Sequence, residues 1–98
     1  MEDLPQAVRL EQNVPNPFNP RTAISFMVPR GGANVRLDVV DTRGRHVRTL
    51  ADEHRAEGRN VVEWDGFDSA GRSAPTGTYL YRLRSAGVEE TRKMTLIK

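Results

Sequence analysis

The residues of this chain best able to do acid–base or nucleophilic chemistry are two histidines, His46 and His54, and four serines, Ser25, Ser69, Ser73 and Ser85. Catalysis needs such groups paired and oriented by further partners. His46 falls just past a predicted hairpin turn and His54 in a charged stretch, and no serine sits in a nucleophile-elbow pattern. No glycine-rich phosphate loop opens a helix. These residues therefore predict no enzyme, no catalytic residue and no cofactor. The loop Asp65-Gly66-Phe67-Asp68-Ser69-Ala70-Gly71 sets two carboxylates three apart, a fragment of a calcium loop. Calcium takes six to eight oxygens, and the third acid and closing glutamate are missing. Asp65 and Asp68 are better read as Asx turns to nearby amides than as metal ligands.

A second group of residues has a physical logic of its own. In Asn16-Pro17-Phe18-Asn19-Pro20 the prolines fix φ and remove amide donors, so the segment is expected to stay out of any strand ladder and to form a corner between sheets. Phe18, held with little freedom, is expected to plug the open end of the fold. Asn16 and Asn19 are expected to satisfy backbone groups through their side-chain amides. From the residues alone the corner is favoured over a recognition surface.

The elements that must position these groups are strands. Ile24, Phe26 and Val28 alternate with Ala23, Ser25 and Met27; Val35, Leu37 and Val39 alternate with Arg36 and Asp38; Val47 and Leu50 mark the next run. A three-residue loop with Gly44 in the left-handed region would pair Asp41 with Arg45 and Val39 with Val47. Asp52 to Gly58 is charged and reads as a turn. Trp64, beside Val62 on an alternating strand, is the expected core anchor. Asp65 to Gly77 reads as loop. Tyr79, Tyr81 and Leu83 face inward on one strand, Met94 and Leu96 on the next. A two-residue Ala86-Gly87 turn sets Tyr79 opposite Met94 and Arg84 opposite Glu89, whereas a three-residue loop would carry Lys93 into the core. With Val8 to Gln12 as a short edge strand, no helical periodicity and turn signals at short intervals, the pattern fits a sandwich or small barrel.

Composition sets the outer bounds. Ninety-eight residues make one domain, with 1–7 expected as a disordered leader or linker and 8–98 as the folded unit. There is no cysteine, so packing and hydrogen bonds alone must hold the fold. Fifteen bases and thirteen acids are interleaved along the chain, which disfavours nucleic acid because counterion release needs clustered cations. No run is long and apolar enough to span a bilayer, and the acidic, proline-bearing N-terminus does not read as a signal peptide. No internal repeat is evident on this reading.

Taken together, Asn13-Val14-Pro15-Asn16-Pro17-Phe18-Asn19-Pro20, Val40-Asp41 with Gly44-Arg45-His46-Val47, Trp64-Asp65-Gly66, Gly77-Thr78-Tyr79, Arg92-Lys93-Met94 and the final Leu96-Ile97-Lys98 resemble the type A C-terminal sorting domains of the type IX secretion system. Those domains are similar to the immunoglobulin-like domain of flagellar hook-cap proteins. Val14 departs from the family, which commonly has an aromatic there. The resemblance implies an all-β, immunoglobulin-like antiparallel β-sandwich of about seven strands. It also implies a non-catalytic sorting signal, preceded covalently by a cargo protein. Outer-membrane secretion machinery would recognise it and carry the cargo through the periplasm and outer membrane to the cell surface or medium. Recognition would rest on Lys93, Met94, Leu96, Ile97 and Lys98, with Asn16, Pro17, Phe18, Asn19, Pro20, Trp64, Gly77 and Tyr79 as structural residues. The alternatives are a hook-cap-type assembly module and an extracellular spacer or adhesion domain.

Overall fold

The computed structural model describes residues 4–98. Seven strands follow one another: β1 Arg9–Leu10, β2 Thr22–Val28, β3 Ala33–Asp41, β4 His46–Arg55, β5 Gly58–Trp64, β6 Gly77–Ser85 and β7 Val88–Leu96. They form two antiparallel sheets, β1-β2-β5 and β4-β3-β6-β7, packed as an immunoglobulin-like sandwich. The leader expected over 1–7 lies in part outside the described residues, and Val8 is already core.

Period-two alternation decides which face of each strand is buried. Ile24, Phe26 and Val28 of β2, Val35, Leu37 and Val39 of β3, Tyr79, Tyr81 and Leu83 of β6, and Met94 and Leu96 of β7 all enter one core. Trp64 ends β5 fully buried, and its indole N–H donates to the Phe67 carbonyl at 3.0 Å. An indole buried at such a depth needs that partner. Tyr79 Oη donates to the Pro75 carbonyl four residues upstream, the tyrosine corner of this architecture.

Two connections depart from the sequence reading. The Asp41 N–H donates to the Arg45 carbonyl, as expected, but Val39 faces Arg48 rather than Val47, and Val40 faces His46. Val47 and Leu50 stand three apart, so a regular strand cannot aim both at one face. β4 resolves this with two bulges in which these residues are the extra ones. Both pack half-buried against the core. Asp52 to Gly58 is not all turn: β4 runs on through Arg55, because its charges project to solvent and pair there, Arg36 with Asp52 and Arg55 with Glu53. The short turn that follows carries the chain from one sheet to the other.

The β6–β7 hairpin has the expected register, with Tyr79 opposite Met94 and Arg84 opposite Glu89. Its two turn residues both have positive φ, 49° at Ala86 and 81° at Gly87, the signature of a type I′ turn, which prefers Asn-Gly. Alanine is strained there. The substitution Ala86→Asn should raise stability by about 0.5–1 kcal/mol, read as a higher urea midpoint with an unchanged slope.

Candidate recognition surface

Proline deletes only its own N–H, so Phe18, between Pro17 and Pro20, keeps both backbone groups. Contrary to the expectation that this segment avoids ladders, Phe18 forms a single parallel bridge with Leu96. Phe18 N donates to the Thr95 carbonyl at 3.0 Å, and Ile97 N donates to the Phe18 carbonyl at 2.9 Å. Just before these bonds along β7, Thr95 N donates to Asn16 Oδ1 at 3.0 Å. Gln12 Nε2 donates to the Lys93 carbonyl at 2.8 Å. The outer edge of β7 from Lys93 to Ile97 is thus clasped by residues 12–18. Asn16 caps backbone as expected; Asn19 makes no side-chain hydrogen bond among the described residues.

The expected plug is present. Phe18 is 2% exposed; its ring centroid lies 5.7 Å from that of Trp64, and the Trp64 ring lies 5.4 Å from Tyr79 in edge contact. The tryptophan-aspartate-glycine loop joins the same end. Gly66 has φ of 82°, and a Cβ there would come within 3.0 Å of the Pro20 carbonyl oxygen. Gly77 opens β6 opposite Leu96. The segment's entry is fixed by Asn13, buried, whose Nδ2 donates to Thr22 Oγ1 at 3.0 Å and to the Pro15 carbonyl at 3.1 Å. Tyr81 Oη donates to the Glu11 carbonyl and accepts from Asn13 N. Motifs separated in sequence are therefore one contiguous cluster around the end of β7.

Of the five terminal residues assigned to recognition, Met94 and Leu96 are buried in the core, where they hold the strand down and no partner reaches them in the folded domain. Lys93, Ile97 and Lys98 are exposed, Ile97 at 45%. Lys98 N donates to Thr76 Oγ1 at 3.2 Å and its ammonium donates to Ser73 Oγ. The strand therefore offers a partner one aliphatic side chain between two ammonium groups.

Asp65 and Asp68 make the Asx turns expected of them. Asp65 Oδ1 accepts from Phe67 N and from Arg48 Nη1; Asp68 Oδ1 accepts from Ala70 N and Arg72 N at 2.9 Å each. No group of three or more metal-ligating side chains occurs among the described residues. The Asp68 turn repeats one already seen. In Asp41-Thr42-Arg43-Gly44-Arg45, Oδ1 of Asp41 accepts from Arg43 N and Arg45 N at 2.9 Å each. In both turns the aspartate carbonyl accepts from the glycine N and the aspartate N donates to the arginine carbonyl. Both glycines have positive φ, 83° and 81°. The shared pattern, aspartate, hydroxyl residue, any residue, glycine, arginine, is an internal repeat that the strand-by-strand reading passes over. Pairing the two aspartates in sequence finds it.

The two histidines lie near opposite ends of β4. His46 Nε2 lies 2.8 Å from Thr49 Oγ1, and His54 faces Asn34 near the other end of β4. Ser69 and Ser85 hydroxyls donate to backbone carbonyls. The titratable group that sequence reasoning misses is Asp38, on the outer face of β3 yet with its side chain 1% exposed. Arg36 Nε donates to it at 2.8 Å, Thr49 Oγ1 at 2.7 Å and Arg84 Nη2 at 3.4 Å. Burial pushes its pKa up, but the bonds from Arg36, Thr49 and Arg84 and the charge of Arg36 outweigh burial and hold it below the ordinary aspartate value.

Comparison with known proteins follows this geometry. Residues 14–87 match the family described as FlgD Ig-like domain. Among solved structures, FlgD from P. aeruginosa aligns over 76% of this chain at 28% identity with a TM-score of 0.61. The chain spans 59% of that protein's length. PorZ of Porphyromonas gingivalis, described as an essential bacterial surface component of the type IX secretion system, aligns over 89% of this chain and 11% of its own, at 17% identity and a TM-score of 0.62. The Pseudomonas fluorescens alkylpurine DNA glycosylase AlkC, bound to DNA containing an abasic site analog, aligns over 93% of this chain and 30% of its own, at 17% identity and 0.56. At 17% identity these last two share the fold alone. No curated protein matches the chain.

One outcome tests the Phe18 cluster and another the Asp38 network. Phe18→Ala should cost about 3–5 kcal/mol in urea unfolding, since it removes a buried ring from Trp64. Asp38→Asn should cost about 1–3 kcal/mol at neutral pH by weakening charge-assisted bonds. Because the folded pKa of Asp38 is depressed, its contribution is present above the unfolded-state pKa and is lost as pH falls through the folded value. The variant should accordingly lose less stability than the wild type over that acid range; parallel curves would contradict the assignment.

Proposed function

The chain belongs to the FlgD Ig-like domain family, and from that membership we propose that it is a non-catalytic assembly module of the hook-cap type. Residues 8–98 form the module and 1–7 its connection to a larger exported protein. The module attaches that protein to an extracellular or surface structure. The family match is the observation that carries this reading; the likeness to P. aeruginosa FlgD supports it.

A second reading, a sorting signal recognised by type IX outer-membrane machinery, is favoured by one specific observation. β7 lies beyond the matched residues 14–87, and it is the strand that the Asn16–Pro20 segment clasps, leaving Lys93, Ile97 and Lys98 exposed. On this reading a cargo precedes the domain and travels with it through the periplasm and outer membrane.

One experiment separates the two. The parent protein, carrying Lys93→Glu, Ile97→Asp and Lys98→Glu together, is expressed in a host with the secretion system, and export and surface assembly are scored independently. These positions are exposed, so the domain should keep its melting temperature within the range of ordinary surface changes. For the assembly module we expect export intact and incorporation into the surface structure impaired. Loss of export with the fold intact would contradict that reading and support the sorting signal.

A further inference from the structure

The two aspartate-to-arginine turns are neighbours in space as well as copies in pattern. Asp41, Arg43, Arg45 and Asp68 line one open cleft of about 620 Å³, whose far wall is the Ala74–Tyr79 segment. In each turn the carboxylate is drawn inward: one oxygen accepts two backbone N–H groups, and the side chains of Asp41 and Asp68 are only 24% and 29% exposed. The arginines are left outside, Arg45 at 72% and Arg72 at 81% exposed. Arg45 commits its Nε to Asp41 at 2.9 Å, and Arg72 approaches Asp68 only at 3.8 Å. A guanidinium has five donors, so both keep free N–H groups for a second carboxylate. Arg43 makes no ion pair among the described residues. The turns thus bury negative charge and display positive charge, on a chain whose overall balance is only +2.

We propose that this cleft docks an extended acidic segment of a partner protein, whose carboxylates meet Arg43 and Arg45 of the lining and, where the segment leaves the cleft along the Asp68 turn, the exposed Arg72. Charge complementarity selects the acid, and displayed arginine is suited to planar, bidentate carboxylate recognition. The floor selects a peptide. It is made by Val47, Ala74 and Pro75; of the two aromatic rings in the lining, Tyr79 is buried with its hydroxyl committed to Pro75 and the His46 imidazole bonds Thr49. A peptide alternating acidic and aliphatic side chains meets both the guanidinium groups and that floor, whereas a sugar finds no exposed phenyl, phenol or indole face to stack on. Lys98, whose N–H donates to Thr76 Oγ1 of the far wall, borders this cleft, while Lys93 and Ile97 are not among its lining residues; the site holds under either functional reading.

The test uses the full chain and a fluorescein-labelled octapeptide of alternating glutamate and valine, followed by anisotropy at low ionic strength. The wild type should bind, with affinity falling as salt is raised. Arg43→Glu with Arg72→Glu should weaken binding about tenfold or more. Arg30→Glu, in the turn at the opposite end of the sandwich, should change it less than about twofold. Melting temperatures monitor the fold, and Arg43→Gln alone, which breaks no ion pair, should give an intermediate loss. Absence of wild-type binding, an equal loss with Arg30→Glu, or tighter capture of a heparin hexasaccharide with the same arginine dependence would overturn the proposal.

Discussion

The contact on which most of this structure depends is the tilted packing of the Phe18 ring against Trp64, from the residue that bridges Leu96 at the end of β7. A sandwich of two small sheets has an open end, and an open end admits water to the core. Phe18 fills it from a segment whose flanking prolines leave the ring little freedom to lose on folding. Trp64 receives it on one side and Tyr79 on the other, and each polar tip is bonded to backbone, the indole to Phe67 and the phenol to Pro75. Trp64 is the ring the other two share, so its removal would unpack both.

The same end shows how the fold closes its sheet edges. β7 is clasped by residues 12–18 along Lys93 to Ile97, and β1 is met by Glu90 and Arg92, whose side chains bond the N–H and carbonyl of Leu10. β4 is covered where Ser69 N donates to the Val47 carbonyl. These contacts blunt edges that would otherwise recruit another strand. They also join residues distant in sequence, so the clasp forms only when the last strand is in place.

Much of this was legible in the residues. Period-two alternation named the core faces of β2, β3, β6 and β7, and the parity of the Ala86-Gly87 turn fixed the last register, because an odd loop would have buried Lys93. Phe18 as a plug and Trp64 as an anchor followed from proline geometry and ring size. The bulges at Val47 and Leu50 did not, since a three-residue spacing shows conflict but not how the ladder absorbs it. Asp38 looked like an exposed strand residue because its cover, Arg36, Thr49 and Arg84, comes from three strands and its cost is repaid only by all three at once. The Phe18–Leu96 bridge is parallel and long-range, and leaves no local trace. The paired aspartate turns did leave one.

For function, the consequence is that a motif near the chain's start and the strand at its end behave as one structural unit. The chain belongs to the FlgD Ig-like domain family, and the clasp explains how the last strand keeps a fixed outer edge while Lys93, Ile97 and Lys98 stay exposed. Amide hydrogen exchange at Thr95 and Ile97 reports on that unit most directly. Both amides should be protected far more strongly than that of Thr91 on the same strand, and both should lose protection in Asn16→Ala while the Met94 amide in the β6 ladder keeps most of its own. Exchange at Thr95 and Ile97 as fast as at Thr91 in the wild type would contradict the clasp.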